Sequence, residues 1–167
     1  MGSRFKNFTR EKDIYYLKKA VEVSEKAIES GNNPFGAILV DLDGNILMEQ
    51  GNVEVTEKEC TGHAETTLAR KASGKYDRET LWNCTLYTTV EPCAMCTGAI
   101  YWANIGRIVY GIEETKLLEM TGDNPKNPTM SLSCRNVIAA GQKDIEVVGP
   151  VDEVKEDVLK VHEGFWD

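Results

Sequence analysis

Two short motifs constrain this chain more than any other feature of its sequence. The first is His63-Ala64-Glu65, and the second is Pro92-Cys93-Ala94-Met95-Cys96. Imidazole nitrogen and thiolate sulfur are ligands of zinc, and a catalytic zinc site has three protein ligands and one open position. Two cysteines three apart on the first turn of a helix place both sulfurs on one side of one metal. The motifs therefore predict a zinc ion bound by His63, Cys93 and Cys96.

Glu65 follows the histidine by two residues and is predicted to carry protons. Zinc lowers the pKa of a bound water toward neutrality, and a carboxylate nearby takes that proton and later returns it to a leaving group. The alternative is a structural zinc site with a fourth protein ligand, for which Cys60, Cys84, Cys134 and His162 are the candidates. That alternative gives Glu65 and Pro92 no role, so the catalytic interpretation is favoured.

The cysteine count and the chain length favour one intracellular domain. Five cysteines are an odd number, and the sequence shows no hydrophobic export signal, so metal binding or free thiols are expected rather than disulfides. We expect a cytoplasmic protein in which residues 1–167 form a single domain.

The acidic charge argues against nucleic acid as a partner, and the length of the apolar stretches argues against a membrane-spanning segment. The formal net charge is −8 and the pI is about 4.9, and no run of Lys or Arg interrupts this acidic character. An acidic surface repels phosphate backbones. The longest apolar stretches have the length of strands, which is too short to span a bilayer. A small molecule is the expected partner.

Hydrophobic periodicity predicts helices and strands that alternate along the chain. The predicted helices are residues 11–28, 63–72, 93–103, 113–120 and 151–162, and the predicted strands are 35–40, 45–49, 85–90, 107–110 and 145–148. Asp43-Gly44 is typical of a hairpin turn between the first two strands. The order indicates a mixed sheet flanked by helices.

The motif H-x-E…P-C-x-x-C is the signature of zinc deaminases. With its neighbours Glu91 to Ile100, this chain resembles the nucleobase and tRNA branch of the cytidine deaminase superfamily from about Asn33 to Gly111. The resemblance implies an α/β fold, a three-layer α-β-α sandwich with a central five-stranded mixed sheet. It also implies one zinc ion per subunit, a homodimer or higher homo-oligomer, and attack of zinc-activated water on a ring carbon.

The same resemblance implies several substrate contacts. Asn52 matches the asparagine that hydrogen-bonds the base, and Phe35 and Trp102 match aromatic walls of the pocket, although ordinary core packing explains both rings equally well. Trp166, near the last residue, matches an aromatic that closes the pocket, with packing of the final helix as the alternative.

A second carboxylate accompanies the catalytic glutamate in guanine deaminases. Their Gly-Phe-Asp-Asp-like segment is replaced here by Thr121-Gly122-Asp123-Asn124. Asp123 is the expected counterpart, and Glu119 and Glu114 are the possible substitutes.

Four functions are considered on the basis of the sequence. Deamination of a free nucleobase or related amino-heterocycle, with guanine favoured, is the main hypothesis, and cytosine deaminase is its alternative. The acidic pI disfavours a tRNA adenosine deaminase. The intact Glu65 disfavours a non-catalytic, zinc-stabilised binding subunit.

Overall fold

The computed structural model describes residues 3–167, in which seven α-helices surround five strands. The helices are α1 (Arg10–Glu29), α2 (Ala64–Lys75), α3 (Arg78–Trp82), α4 (Ala94–Ala103), α5 (Glu114–Thr121), α6 (Cys134–Ala139) and α7 (Lys155–His162). The strands are β1 (Gly36–Val40), β2 (Ile46–Gly51), β3 (Thr85–Val90), β4 (Arg107–Ile112) and β5 (Glu146–Val148).

The strands form one mixed sheet with the order β2-β1-β3-β4-β5. β1 is antiparallel to both β2 and β3, whereas β3, β4 and β5 are parallel. β1, β3 and β4 are buried along their whole length, as expected for strands covered on both faces. The expected α/β sandwich with a five-stranded mixed sheet is confirmed.

Helices cover both faces of this sheet and create two hydrophobic cores. One core joins α2 and α4 to the sheet through residues such as Leu68, Ile100 and Ile108. The other joins α1 and α7 to the opposite face through residues such as Leu17, Val109 and Val158. None of the helices within residues 3–167 is long and apolar enough to cross a bilayer.

The topology brings particular segments to one edge of the sheet. β3 and β4 are parallel, so their carboxyl ends, which lead to Pro92 and Glu114, lie at the same edge. β1 runs in the opposite direction, so its beginning lies there, and Gly36 pairs with Gly51 at the end of β2. Residues from four separate segments therefore meet beside this edge.

The elements agree with the sequence expectations except for two short helices. Residues 85–90 form a strand as expected, and the final predicted helix begins with a 3₁₀ turn at Asp152–Val154. α3 and α6 were not expected. They are five and six residues long, which is too short for a helical period to show in the sequence.

A buried ionic cluster joins α1 to strands β3, β4 and β5. Two nitrogens of Arg107 in β4 donate to the two carboxylate oxygens of Asp13 in α1 at 3.0 and 2.8 Å. Arg107 also donates to Glu146 in β5, and the Tyr87 hydroxyl donates to Asp13 at 2.6 Å. Asp13 and Arg107 are each 3% exposed. Removal of one partner would therefore leave a buried charge poorly compensated.

We expect Asp13→Ala to destabilise the fold by about 3 kcal/mol, the lower end of the range for breaking a buried ion pair, because Glu146 still pairs with Arg107. Urea unfolding followed by circular dichroism measures this loss. Arg10→Ala, which breaks an exposed pair with Glu153, serves as the control and should barely move the midpoint. Equal midpoints for wild type and Asp13→Ala would show that the cluster does not stabilise the fold.

Candidate active site and metal centre

The N-termini of α2 and α4 meet beside the carboxyl end of β3. His63 is the N-cap residue of α2 and Cys93 is the N-cap residue of α4, and neither side chain caps its own helix. Both side chains are thus available to a ligand. The unpaired N–H groups of a helix N-terminus favour the thiolate form of a cysteine.

His63, Cys93 and Cys96 form a compact set of three donor atoms. Nδ1 of His63 lies 3.6 Å from Sγ of Cys93 and 3.5 Å from Sγ of Cys96, and all three atoms lie within 4.8 Å of one another. A tetrahedral zinc ion with Zn–N of about 2.0–2.1 Å and Zn–S of about 2.3 Å separates nitrogen and sulfur by about 3.6 Å. The three residues therefore fit zinc in both chemistry and spacing.

The proton distribution in this cluster also suits a dication. A hydrogen bond from Cys96 lowers the pKa of Cys93 to about 4, and the same contact raises the pKa of Cys96. A hydrogen bond to the Cys93 sulfur raises the pKa of His63 to about 9. These shifts show that positive charge beside the two sulfurs is favoured. A zinc ion would supply that charge in place of the protons that His63, Cys93 and Cys96 share.

Two neighbours orient the predicted ligands. The Thr66 hydroxyl donates to Sγ of Cys96 at 3.1 Å. Nε2 of His63, on the side of the ring away from the sulfurs, faces Oε1 of Glu54 at 3.5 Å. A carboxylate in this position fixes the orientation and tautomer of a metal-binding histidine.

A cavity of about 260 Å³ opens onto the cluster. His63, Cys93, Glu65 and Phe35 line it from the helices and the sheet, and the 126–130 segment lines it from the loop between α5 and α6. This volume lies just below the roughly 300–1,000 Å³ of pockets for drug-sized ligands. The cavity therefore suits a small heterocycle.

Two carboxyl groups in the cavity lie in environments that disfavour their charge. Burial raises the pKa of Glu65 to about 7, and burial raises the pKa of Glu114 to about 8. The negative charge of Cys93 adds to both shifts. Zinc bound here would lower the pKa of water toward neutrality and so provide a nucleophile. Glu65, next to such a nucleophile, is placed to hold its proton.

Glu114, named from the sequence as a substitute, takes the place expected of Asp123. Glu114 lines the cavity at the end of β4. Asp123 is exposed and lies in a separate surface depression beyond α5. The difference arises because α5 starts at the sheet edge and carries residue 123 two turns away from it.

Asn52, expected to bind the base, is not among the residues that line the cavity and is hydrogen-bonded to Glu54. Its side chain accepts from the backbone N–H of Glu54 at 3.0 Å and donates to Oε1 of Glu54 at 2.7 Å. Asn52 is 1% exposed, whereas Glu54 lines the cavity. The local turn thus places Glu54 in the cavity wall and Asn52 behind it, in contact with the Glu54 carboxylate.

The three expected aromatic contacts have different positions. Phe35 lines the cavity. Trp166 is buried behind Phe35, with ring centroids 6.1 Å apart, and its indole N–H donates to His162. Trp166 therefore supports the Phe35 wall and packs the end of α7. Trp102 lies on the outer side of α4, is 76% exposed and is not among the cavity-lining residues.

Glu91 is a structural residue of the site that the sequence interpretation left without a role. Its two carboxylate oxygens accept from the backbone N–H groups of Glu114 and Cys134 at 3.2 and 3.0 Å. One buried side chain thereby fixes the beginnings of α5 and α6. An acidic residue directly before the Pro-Cys motif was the only available signal.

Comparisons with known proteins agree with this geometry. Residues 10–112 match the family described as the cytidine and deoxycytidylate deaminase zinc-binding region. The chain is 40% identical to a probable cytosine deaminase of Schizosaccharomyces pombe, over 94% of each chain. It is 41% identical to a guanine deaminase of Bacillus subtilis, over 65% of this chain and 70% of that protein.

A solved structure supports the same fold. The guanine deaminase of Nitrosomonas europaea superimposes with a TM-score of 0.73 at 20% identity, covering 90% of this chain and 82% of that one. The chain belongs to the cytidine and deoxycytidylate deaminase family. It is accordingly a zinc-dependent hydrolase that acts on C–N bonds.

We expect Cys96→Ala to lose most of its zinc, because the remaining histidine and cysteine are too few ligands for tight binding. Elemental analysis of the purified variant measures the metal-to-protein ratio. Cys60→Ala is the matched control, because Cys60 lines the same cavity but lies outside the donor cluster. Full zinc content in Cys96→Ala would show that the ligand set is different.

Proposed function

We propose that this protein deaminates a free nucleobase, with guanine favoured, by hydrolysis of the exocyclic C–N bond. The observation that carries the proposal is one small cavity lined by two of the three predicted zinc ligands, His63 and Cys93, together with Glu65 and a second carboxyl group, Glu114. A second carboxyl group beside the catalytic glutamate is the feature that the resemblance associates with guanine deaminases. In this proposal residues 1–167 act as one deaminase domain.

Glu65 has two tasks in this reaction. It takes a proton from the attacking water, whose oxygen forms a bond to the amine-bearing ring carbon. It then gives a proton to the departing nitrogen as the C–N bond breaks, so that water and the amino-heterocycle yield the oxo-heterocycle and ammonia. Phe35, supported from behind by Trp166, provides an aromatic wall for the base.

The charges around the cavity support a free base over a nucleotide. Glu54, Glu65, Glu91 and Glu114 all line it. The lysine at its rim, Lys126, already donates to a backbone carbonyl, that of Asp167, at 2.8 Å. A substrate phosphate would therefore meet acidic side chains without a dedicated cation. The same argument disfavours a tRNA substrate.

Cytosine is the second candidate substrate. It is supported by the likeness to the Schizosaccharomyces pombe probable cytosine deaminase, which extends over 94% of each chain, whereas the likeness to the Bacillus subtilis guanine deaminase covers 65% of this one.

We also propose that the protein forms a homodimer through α4. A tryptophan with 76% of its surface exposed, Trp102, stands on the outer face of this helix. Tryptophan is among the residue types that are enriched in protein–protein interfaces relative to the rest of the surface.

Glu65→Gln should fold and keep its zinc, while turnover falls at least about a hundredfold, because the amide cannot carry the proton. Ammonia release measures the rate, with elemental analysis for the metal. Glu57→Gln makes the same charge change at an exposed position and should keep the wild-type rate. A Glu65→Gln rate within about threefold of wild type would assign proton transfer to another group.

A side-by-side measurement of kcat/KM for guanine and cytosine tests the substrate. We expect the guanine value to be higher by tenfold or more, equivalent to about 1.4 kcal/mol of transition-state preference. The reverse ratio would make cytosine the substrate. Release of ammonia from neither base, nor from related amino-heterocycles, by the zinc-loaded protein would refute base deamination.

A further inference from the structure

Glu54 lines the cavity and orients His63, but only one of its two carboxylate oxygens faces that ring. One of its oxygens, Oε1, accepts from Asn52 Nδ2 at 2.7 Å and from Asn33 Nδ2 at 3.3 Å, and it faces Nε2 of His63 at 3.5 Å. The other oxygen, Oε2, has no hydrogen-bond partner within residues 3–167. It is also not one of the buried polar atoms without a partner, so it is accessible. Oε2 is therefore open to a molecule in the cavity.

The surroundings hold this carboxylate in place. The Asn52 side chain binds both the backbone N–H and the carboxylate of Glu54, and Asn33 approaches from a different segment. Three N–H groups on one oxygen leave little freedom for the side chain to rotate. Oε2 thus presents a fixed acceptor, and a carboxylate accepts hydrogen bonds but does not donate them.

The position of Glu54 indicates which part of a base it meets. His63 turns Nδ1 toward the two sulfurs and Nε2 toward Glu54, so one imidazole ring separates the metal ligands from the carboxylate. A flat base whose amine-bearing carbon lies at the catalytic end, and whose ring extends alongside the imidazole, brings its opposite edge near Glu54.

We propose that Glu54 accepts a hydrogen bond from a ring N–H on the edge opposite the released amine and so restricts the site to free bases. Cytosine carries N1–H on that edge, and guanine carries its imidazole N–H there. Nucleosides carry their sugar at these nitrogens and lack the proton. This proposal rests on the proposed function for the substrate class, but it holds equally for guanine and cytosine.

The experiment uses two pairs of bases that differ only at this nitrogen, cytosine with 1-methylcytosine and guanine with 9-methylguanine. We expect wild type to prefer each free base by at least about a hundredfold in kcat/KM, because a site built to bind an N–H strongly rejects an analogue without it. Binding of the same four compounds is measured by calorimetry.

Glu54→Gln is the decisive variant because it keeps the size of the side chain. The N–H groups of Asn52, Asn33 and His63 hold its carbonyl oxygen, so its NH₂ group faces the substrate N–H. The free base should lose at least about a hundredfold in kcat/KM, mainly through KM, while the methylated base changes less than about threefold. If the preference for the free base arose only because the methyl group does not fit, Glu54→Gln would show the same preference as wild type.

Two further variants separate recognition from structural damage. Glu54→Asp retains an acceptor and should restore part of the preference for the free base. Glu57→Gln removes a charge from the same loop outside the cavity and should keep the whole preference. If Glu54→Gln loses its zinc or its fold, Glu54→Asp and the wild-type binding data still decide the question.

The outcomes distinguish this proposal from the proposed function. Turnover of free bases with an unchanged preference in Glu54→Gln would overturn the role of Glu54 and leave base deamination standing. Selective binding of free bases that Glu54→Gln abolishes, without any turnover, would refute base deamination and support Glu54 as the acceptor. Equal kcat/KM values and equal binding of free and methylated bases by wild type would overturn the role of Glu54.

Discussion

The meeting of two helix N-termini at one edge of the sheet is the constraint on which the site depends. His63 and Cys93 occupy equivalent N-cap positions, and the sulfur of Cys96 follows one turn later. Their donor atoms come from segments 30 residues apart in sequence. The packing of α2 against α4 must therefore be correct within tenths of an ångström for a tetrahedral ion to bind. The hydrophobic core that joins α2 and α4 to the sheet, together with the parallel pairing of β3 with β4, provides that precision.

The parts of this protein that the sequence predicts are those encoded locally. The zinc ligands lie in two short motifs, and the buried strands are continuous apolar runs. Both can be recognised without knowledge of the rest of the chain. The buried strand Thr85–Val90 and the cluster of His63, Cys93 and Cys96 were predictable for this reason. The short helices α3 and α6 were not, because five or six residues show no helical period.

Side-chain direction around the cavity depends on tertiary packing and was predicted less well. Asn52 and Glu54 are two residues apart, but the turn after β2 buries the first and exposes the second to the cavity. Trp102 and Asp123 were chosen because they match positions in guanine deaminases. Here Trp102 lies on the exposed side of α4, and α5 separates Asp123 from the cavity. Glu114 was named only as a substitute, although it follows a strand whose end lies beside the site.

The loop between α5 and α6 is joined to the last residues of the chain through the main chain rather than through side-chain pairs. The Asn124 amide donates to the carbonyl oxygen of Trp166, and the Lys126 ammonium donates to that of Asp167. Because every residue type offers the same backbone carbonyl, these two hydrogen bonds do not depend on the side chains at positions 166 and 167. A one-residue deletion after α7 would instead shift both acceptors along the chain. These two hydrogen bonds therefore depend on the backbone path after α7, whereas the Trp166 side chain acts separately through Phe35 and His162.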